Sequence, residues 1–239
     1  MANRQRAEAR RKAAAKAGDG SSKVWMWATI GVVVVIAVVG IVIATGGSDS
    51  KAKPADGSTL TTVATGIPDS QPVTVKGDKL PDFQTSGADA SIGLTAPTVD
   101  GLTFNSQKIT IDPGKGAYMV VFLAHWCPHC NVEVPRLLNW KHSGQVPSGL
   151  NVIGVATAVS KSSVNYPPAT WFSNKGWEWP VLVDEAQGDG AAGKAAAAFG
   201  ATGWPYMVLV GADGKVKVRL SGEVQIADLQ KIVDKALAG

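Results

Sequence analysis

The chain predicts an α/β domain, a central mixed sheet flanked by helices, carried behind one N-terminal membrane-spanning helix. Three observations predict it. Uncharged runs of aromatic and β-branched residues at 118–123, 151–157 and 206–210 read as strands buried on both faces. A helical pattern joins the first two, which makes them a parallel pair, while Ala212-Asp213-Gly214 turns the third back into an antiparallel hairpin with residues 215–220. The third observation is residues 24–44, 21 residues without a charge, dominated by Val and Ile. At about 1.5 Å per residue a helix of that length spans roughly 31 Å, the thickness of a bilayer core.

The N-terminus divides by composition. Residues 1–23 carry Arg4, Arg6, Arg10, Arg11, Lys12, Lys16 and Lys23 against Glu8 and Asp19, a basic tail with no core of its own. Basic residues before a span hold that end in the cytoplasm, so the rest of the chain is expected outside it. A cleaved signal peptide is the rival reading for 24–44, with Ala44-Thr45-Gly46 as a weak cleavage site. Signal peptides carry an apolar core of only about 7 to 15 residues, so an uncleaved anchor at the cell membrane is expected.

The formal charge of +4 comes from that tail. Of 23 basic and 19 acidic residues, removing the seven and the two leaves 16 and 17. The exported part is near neutral and offers no footprint for nucleic acid. Residues 45–90, rich in Gly, Ser, Thr, Asp and Pro, read as an extracytoplasmic tether, in which Gln71 to Phe83 either adds an edge strand or simply extends. The folded domain is expected over 91–239.

The chemistry sits at one junction. Tyr118 to Leu123 is followed by Ala124-His125-Trp126-Cys127-Pro128-His129-Cys130 and then by an apolar face at helical spacing, Val132, Leu137 and Leu138. Pro128 suits the first helical turn, where a missing N–H costs nothing. Cys127 therefore stands at a helix N-terminus, whose unpaired N–H groups favour the nucleophilic thiolate. The two-residue spacer lets Cys130 reach it, so the pair can cycle between dithiol and disulfide. These are the only two cysteines in the chain. An inert structural bridge is the bland alternative, and it would close too short a loop to stabilise the fold much.

These residues resemble the active site of the thioredoxin superfamily. Pro128-His129 is similar to the dipeptide of DsbA-type oxidants, while Ala96-Pro97-Thr98-Val99-Asp100-Gly101 and Glu133 resemble the membrane-anchored TlpA/ResA branch. The similarity covers roughly residues 91–239 and implies a thioredoxin-like fold. It implies that Cys127 attacks and Cys130 resolves, with His129, Pro128 and Glu133 tuning the thiolate. Lowering a thiol pKa from about 8.5 to about 3.5, as in the most acidic such motifs, takes roughly 7 kcal/mol. A helix terminus supplies about 0.3 to 2, so hydrogen bonds and the His129 charge must do the rest.

The resemblance continues at Gly203-Trp204-Pro205, which is similar to the loop where these folds place a cis proline beside the cysteines. Trp204, Pro205 and Trp126 are then the expected client-binding residues, with the backbone before the proline pairing to client polypeptide. Two positions depart from the pattern. Trp204 stands where many relatives have Thr or Val, and Val121 where thioredoxins keep a buried acid.

Local readings complete the sequence. Thr98 to Phe104 reads as a hairpin around Asp100-Gly101, Ala191 to Phe199 as a helix closed by Gly200, and Ile226, Leu229, Ile232, Val233 and Leu237 as an amphipathic C-terminal helix. Trp171, Trp177 and Trp179 are expected in the core. His125 is expected at the surface. The tight spacing of His125, Cys127, His129 and Cys130 speaks against a metal site, so the metal-binding module is the competing class and no cofactor is expected beyond the cysteine pair. The expected partners are exported proteins with cysteines and a membrane redox partner that recycles the pair. Oxidation of client thiols is the favoured direction, and reduction, as in cytochrome c maturation, the alternative.

Overall fold

The structure, a computed structural model, describes residues 66–238; the basic tail, the expected span at 24–44 and the first part of the expected tether lie outside them. Among the described residues, no helix is long and apolar enough to cross a membrane. Eight strands form one mixed sheet. They are β1 (Thr74–Lys76), β2 (Thr98–Leu102), β3 (Lys108–Ile111), β4 (Tyr118–Leu123), β5 (Asn151–Ala156), β6 (Val181–Val183), β7 (Tyr206–Val210) and β8 (Val216–Ser221). The helices are α1 (Pro128–His142), α2 (Pro168–Asn174), α3 (Lys194–Ala198) and α4 (Ile226–Ala238).

β4 is the central strand because all six of its residues are apolar or aromatic and all six are buried. It pairs parallel with β5 and antiparallel with β7. Its side chains alternate between two cores, as a period of two requires. Met119, Val121 and Leu123 join α1 and α4 through Val134, Leu137, Trp140, Leu229 and Val233. Tyr118, Val120 and Phe122 join α3 and the N-terminal segment through Ala195, Phe199, Val73 and Leu80. At about 1.5 to 3 kcal/mol for each large side chain buried, β4 is the costliest strand to disturb.

The far side of the sheet is shared unequally. Val99 pairs with both Val75 and Ile111, and Leu102 with both Lys108 and Val183. Since a residue pairs once on each edge, β3 takes one edge of β2 while β1 and β6 divide the other. The hairpin expected around Asp100-Gly101 is displaced: both residues lie within β2, and the turn runs from Thr103 to Gln107, closed by Thr103 N–H to Gln107 O at 2.9 Å. Gly101 serves packing instead, since a Cβ there would stand 2.9 Å from Leu182.

The boundary expected at Ser91 also moves. Gln71 to Phe83 does add an edge strand, β1, and Val73 and Leu80 are core residues. Leu80 and Phe83 donate backbone bonds to Ala198 and Gly200. Arg219, itself buried, grips Asp89 through both its Nε and Nη2 and reaches Pro81 O at 2.7 Å. A cation inside the fold requires such partners, and they tie residues 81–89 down. Gly200, at φ +71°, permits the close approach, since a Cβ there would meet Pro81 O at 2.3 Å.

Candidate active site

Cys127 is the residue immediately before α1, extended at φ −72°, ψ 122°, with Pro128 opening the helix. Three bonds fix its backbone: its N–H to Ala124 O at 3.1 Å, and its carbonyl to the backbone and side-chain amides of Asn131 at 3.2 and 3.0 Å. Asn131 is held in turn by the Trp171 indole N–H at 3.0 Å. Trp171 is therefore core, as expected, and it also positions the site.

The two thiols have opposite surroundings. The Cys127 pKa is lowered to about 6, first by a hydrogen bond from the Cys130 thiol, then by backbone N–H groups of Cys130 and His129 and by the His129 charge, against the cost of burial. Burial and the neighbouring Cys127 sulfur push the Cys130 thiol far up. Cys127 keeps 4% of its surface and Cys130 none. One sulfur is poised to ionise at the surface edge, and the other is its buried donor. Of the hydrogen bonds and the His129 charge expected to add to the helix, the bond from the partner thiol is the largest influence and the His129 charge the smallest.

Across from Cys127 lies the expected loop. The Trp204–Pro205 peptide is cis, and the Cys127 Sγ stands 3.4 Å from Trp204 O. Trp204 is half-buried against both cores, and Pro205 is buried. Trp126 is half-buried too, its indole N–H donating to Ala158 O at 2.6 Å. That bond commits the polar end of Trp126 to the fold.

The histidines divide sharply. His129 is exposed beside Pro128, and its Nδ1 meets Glu223 Oε1 at 2.8 Å, a pairing that holds its pKa above the usual value. His125, expected at the surface, is buried instead. Its Nδ1 stands 2.9 Å from Val164 O and its Nε2 3.3 Å from the Ser160 N–H. That arrangement fits neutral imidazole, donating to the carbonyl and accepting from the amide, and burial holds its pKa down. His125 pins the 158–166 connection beside the site. It misled as a polar residue in a run that otherwise reads as strand and turn.

Glu133 is fully buried at the second turn of α1. Its Oε2 accepts from Val224 N–H at 3.1 Å and from Arg136 Nη1 at 3.3 Å. Burial pushes its carboxyl above the usual range, and its charge in turn adds a little to the raised Cys130 thiol. Arg136 and Glu223 were not singled out from sequence. The i, i+3 spacing of Glu133 and Arg136 was a usable signal, but Glu223 lies 94 residues from His129 and left none. Among the described residues, no group of three or more His, Cys, Asp or Glu is placed to hold a metal ion.

The Redoxin family model matches residues 75–233, well over half of the chain. The chain belongs to the redoxin family. With that match, the thioredoxin-superfamily resemblance drawn from Trp126 to Cys130 holds, and the match begins inside β1, as the packing of residues 71–90 requires. Three solved structures resemble this redoxin. A thiol:disulfide interchange protein of the thioredoxin family from Chlorobium tepidum is 27% identical over 62% of this chain and 99% of that one, with a TM-score of 0.47. A thiol-disulfide isomerase from Corynebacterium glutamicum is 18% identical over 64% and 99%, with a TM-score of 0.49. StoA from Bacillus subtilis is 15% identical over 56% and 95%, with a TM-score of 0.45. No curated protein sequence matches the chain.

Proposed function

We propose that this redoxin is a protein thiol–disulfide oxidoreductase, held at the cell membrane by residues 24–44 with its domain outside the cytoplasm, acting on cysteines of exported proteins. One observation carries the activity: an acidic Cys127 thiol, hydrogen-bonded by Cys130, beside the cis Trp204–Pro205 loop. In the oxidising direction a client thiolate attacks Cys127 Sγ of the enzyme disulfide, and the S–S electrons leave on Cys130, which takes up a proton. A second client thiolate then attacks the client sulfur of the mixed disulfide and releases Cys127 as its stabilised thiolate. Two electrons pass from two client thiols to the pair. A membrane redox partner returns the pair to its disulfide.

A Cys127 pKa of about 6 bears on direction. A stabilised Cys127 thiolate favours the reduced pair, which makes the disulfide the better oxidant and favours oxidation of client thiols. Buried Glu133 beside Cys130 supports the second reading, a reductase, since it matches the feature shared with the anchored TlpA/ResA branch. A glutathione titration of the purified full chain separates them. A midpoint between about −120 and −250 mV supports oxidation, and a lower one reduction. Turnover that survives Cys127→Ala would remove the dithiol from the reaction.

A further inference from the structure

The connector between β8 and α4 meets four residues around the dithiol with three consecutive residues of its own. Gly222 N–H donates to Pro205 O at 2.8 Å, on the cis-proline loop. Glu223 takes His129 Nδ1 on one oxygen and Arg136 Nη1 on the other, both at 2.8 Å. Val224 N–H donates to the buried Glu133 at 3.1 Å. His129, Glu133 and Arg136 stand at i, i+4 and i+7, one face of α1, so a single strand of connector can meet all three.

We infer that Glu223 is a positioning residue of the dithiol site, holding His129 as a cation beside Cys127 and linking it through Arg136 to Glu133. The inference rests on the oxidoreductase reading and deepens it. His129 is largely exposed, and an imidazole in water is only partly charged near neutral pH. A carboxylate on its Nδ1 keeps the proton there and limits the ring's rotamers. The cation then favours the Cys127 thiolate, which stabilises the reduced pair. The charged groups around it are Arg136 and Glu133 from α1, Glu223 from the connector and the Cys127 thiolate itself.

The full chain with Glu223→Gln, equilibrated with glutathione at pH 7, tests this. Loss of one partly solvated charge interaction should shift the equilibrium constant roughly two- to fivefold toward the enzyme disulfide. On a His129→Gln background the same substitution should shift it clearly less, because only the route through Arg136 to Glu133 is left. A merely structural role for Glu223 would produce equal shifts in both backgrounds. An unmoved equilibrium in Glu223→Gln, or a shift undiminished without His129, overturns the inference. If the wild-type pair does not exchange with glutathione at all, the oxidoreductase reading fails instead. His129 titration by NMR then still decides: an unchanged imidazole midpoint in Glu223→Gln overturns the hold assigned to Glu223.

Discussion

Among the described residues two carboxylates are buried, and they are treated differently. Asp184 follows β6 and uses both oxygens fully: Oδ1 accepts from Glu185 and Ala195 N–H at 2.9 and 2.7 Å, Oδ2 from the Thr157 hydroxyl and Ala196 N–H at 2.8 and 3.1 Å. Burial pushes its carboxyl up and these four donors pull it back. Glu133 has its Oε2 bonded, while its Oε1, equally buried, has no protein partner. The satisfied acid anchors α3. The half-satisfied one faces the chemistry, next to Cys130. Buried polar groups normally find partners, so Glu133 is the less well satisfied of the two acids.

Substitutions can break that comparison, and the largest effect belongs to Asp184. Asp184→Ala strands two buried amides, a partly buried one and a buried hydroxyl, and should cost about 3 kcal/mol or more in urea unfolding. The glutathione equilibrium should stay where it is. A potential that moved with Asp184 would mean the two acids are not separate in role.

Glu133→Gln is expected to do the reverse, with stability at pH 7 unchanged or raised by about 1 kcal/mol and a moved glutathione equilibrium. The sign follows from its raised carboxyl: the folded chain binds that proton more tightly than the unfolded chain. The stability so contributed is complete below the usual 4.5 and is lost as pH rises through the folded value. Urea melts of both proteins between pH 4 and 8 should therefore show wild type falling relative to the variant. Parallel curves would show that burial does not raise the Glu133 carboxyl.

Arg136→Gln should have the smallest effect and sharpens the same contrast. Arg136 lowers Glu133 from the solvent side and is itself partly exposed. Its loss should push the Glu133 carboxyl further up and change stability at pH 7 by about 0.5 to 1 kcal/mol. The pH-dependent loss of stability should still begin near the usual 4.5 but run on to higher pH. A pH profile identical to wild type would assign the hold on Glu133 to Val224 alone.

Particular residues show why some of this was readable in the sequence. Tyr118 to Leu123 announced the central strand because burial on both faces leaves no polar residue in the run. Cys127 and Cys130 announced the site because one turn of helix sets their spacing. Asp100-Gly101 misled because a glycine required for strand packing looks, in sequence, like a glycine required for a turn. Residues 71–90 looked like tether because their anchors, Ala198, Gly200 and Arg219, lie more than a hundred positions downstream.

The local order of residues thus determined the strands, the helix that follows the cysteines and the pairing of two thiols within reach. Those are short-range consequences of side-chain shape and backbone geometry. Only the tertiary structure decided which histidine is buried and neutral and which is exposed and paired, and which carboxylate is satisfied. Charge state depends on burial and on partners brought from distant parts of the chain, and neither is a property of neighbours in sequence.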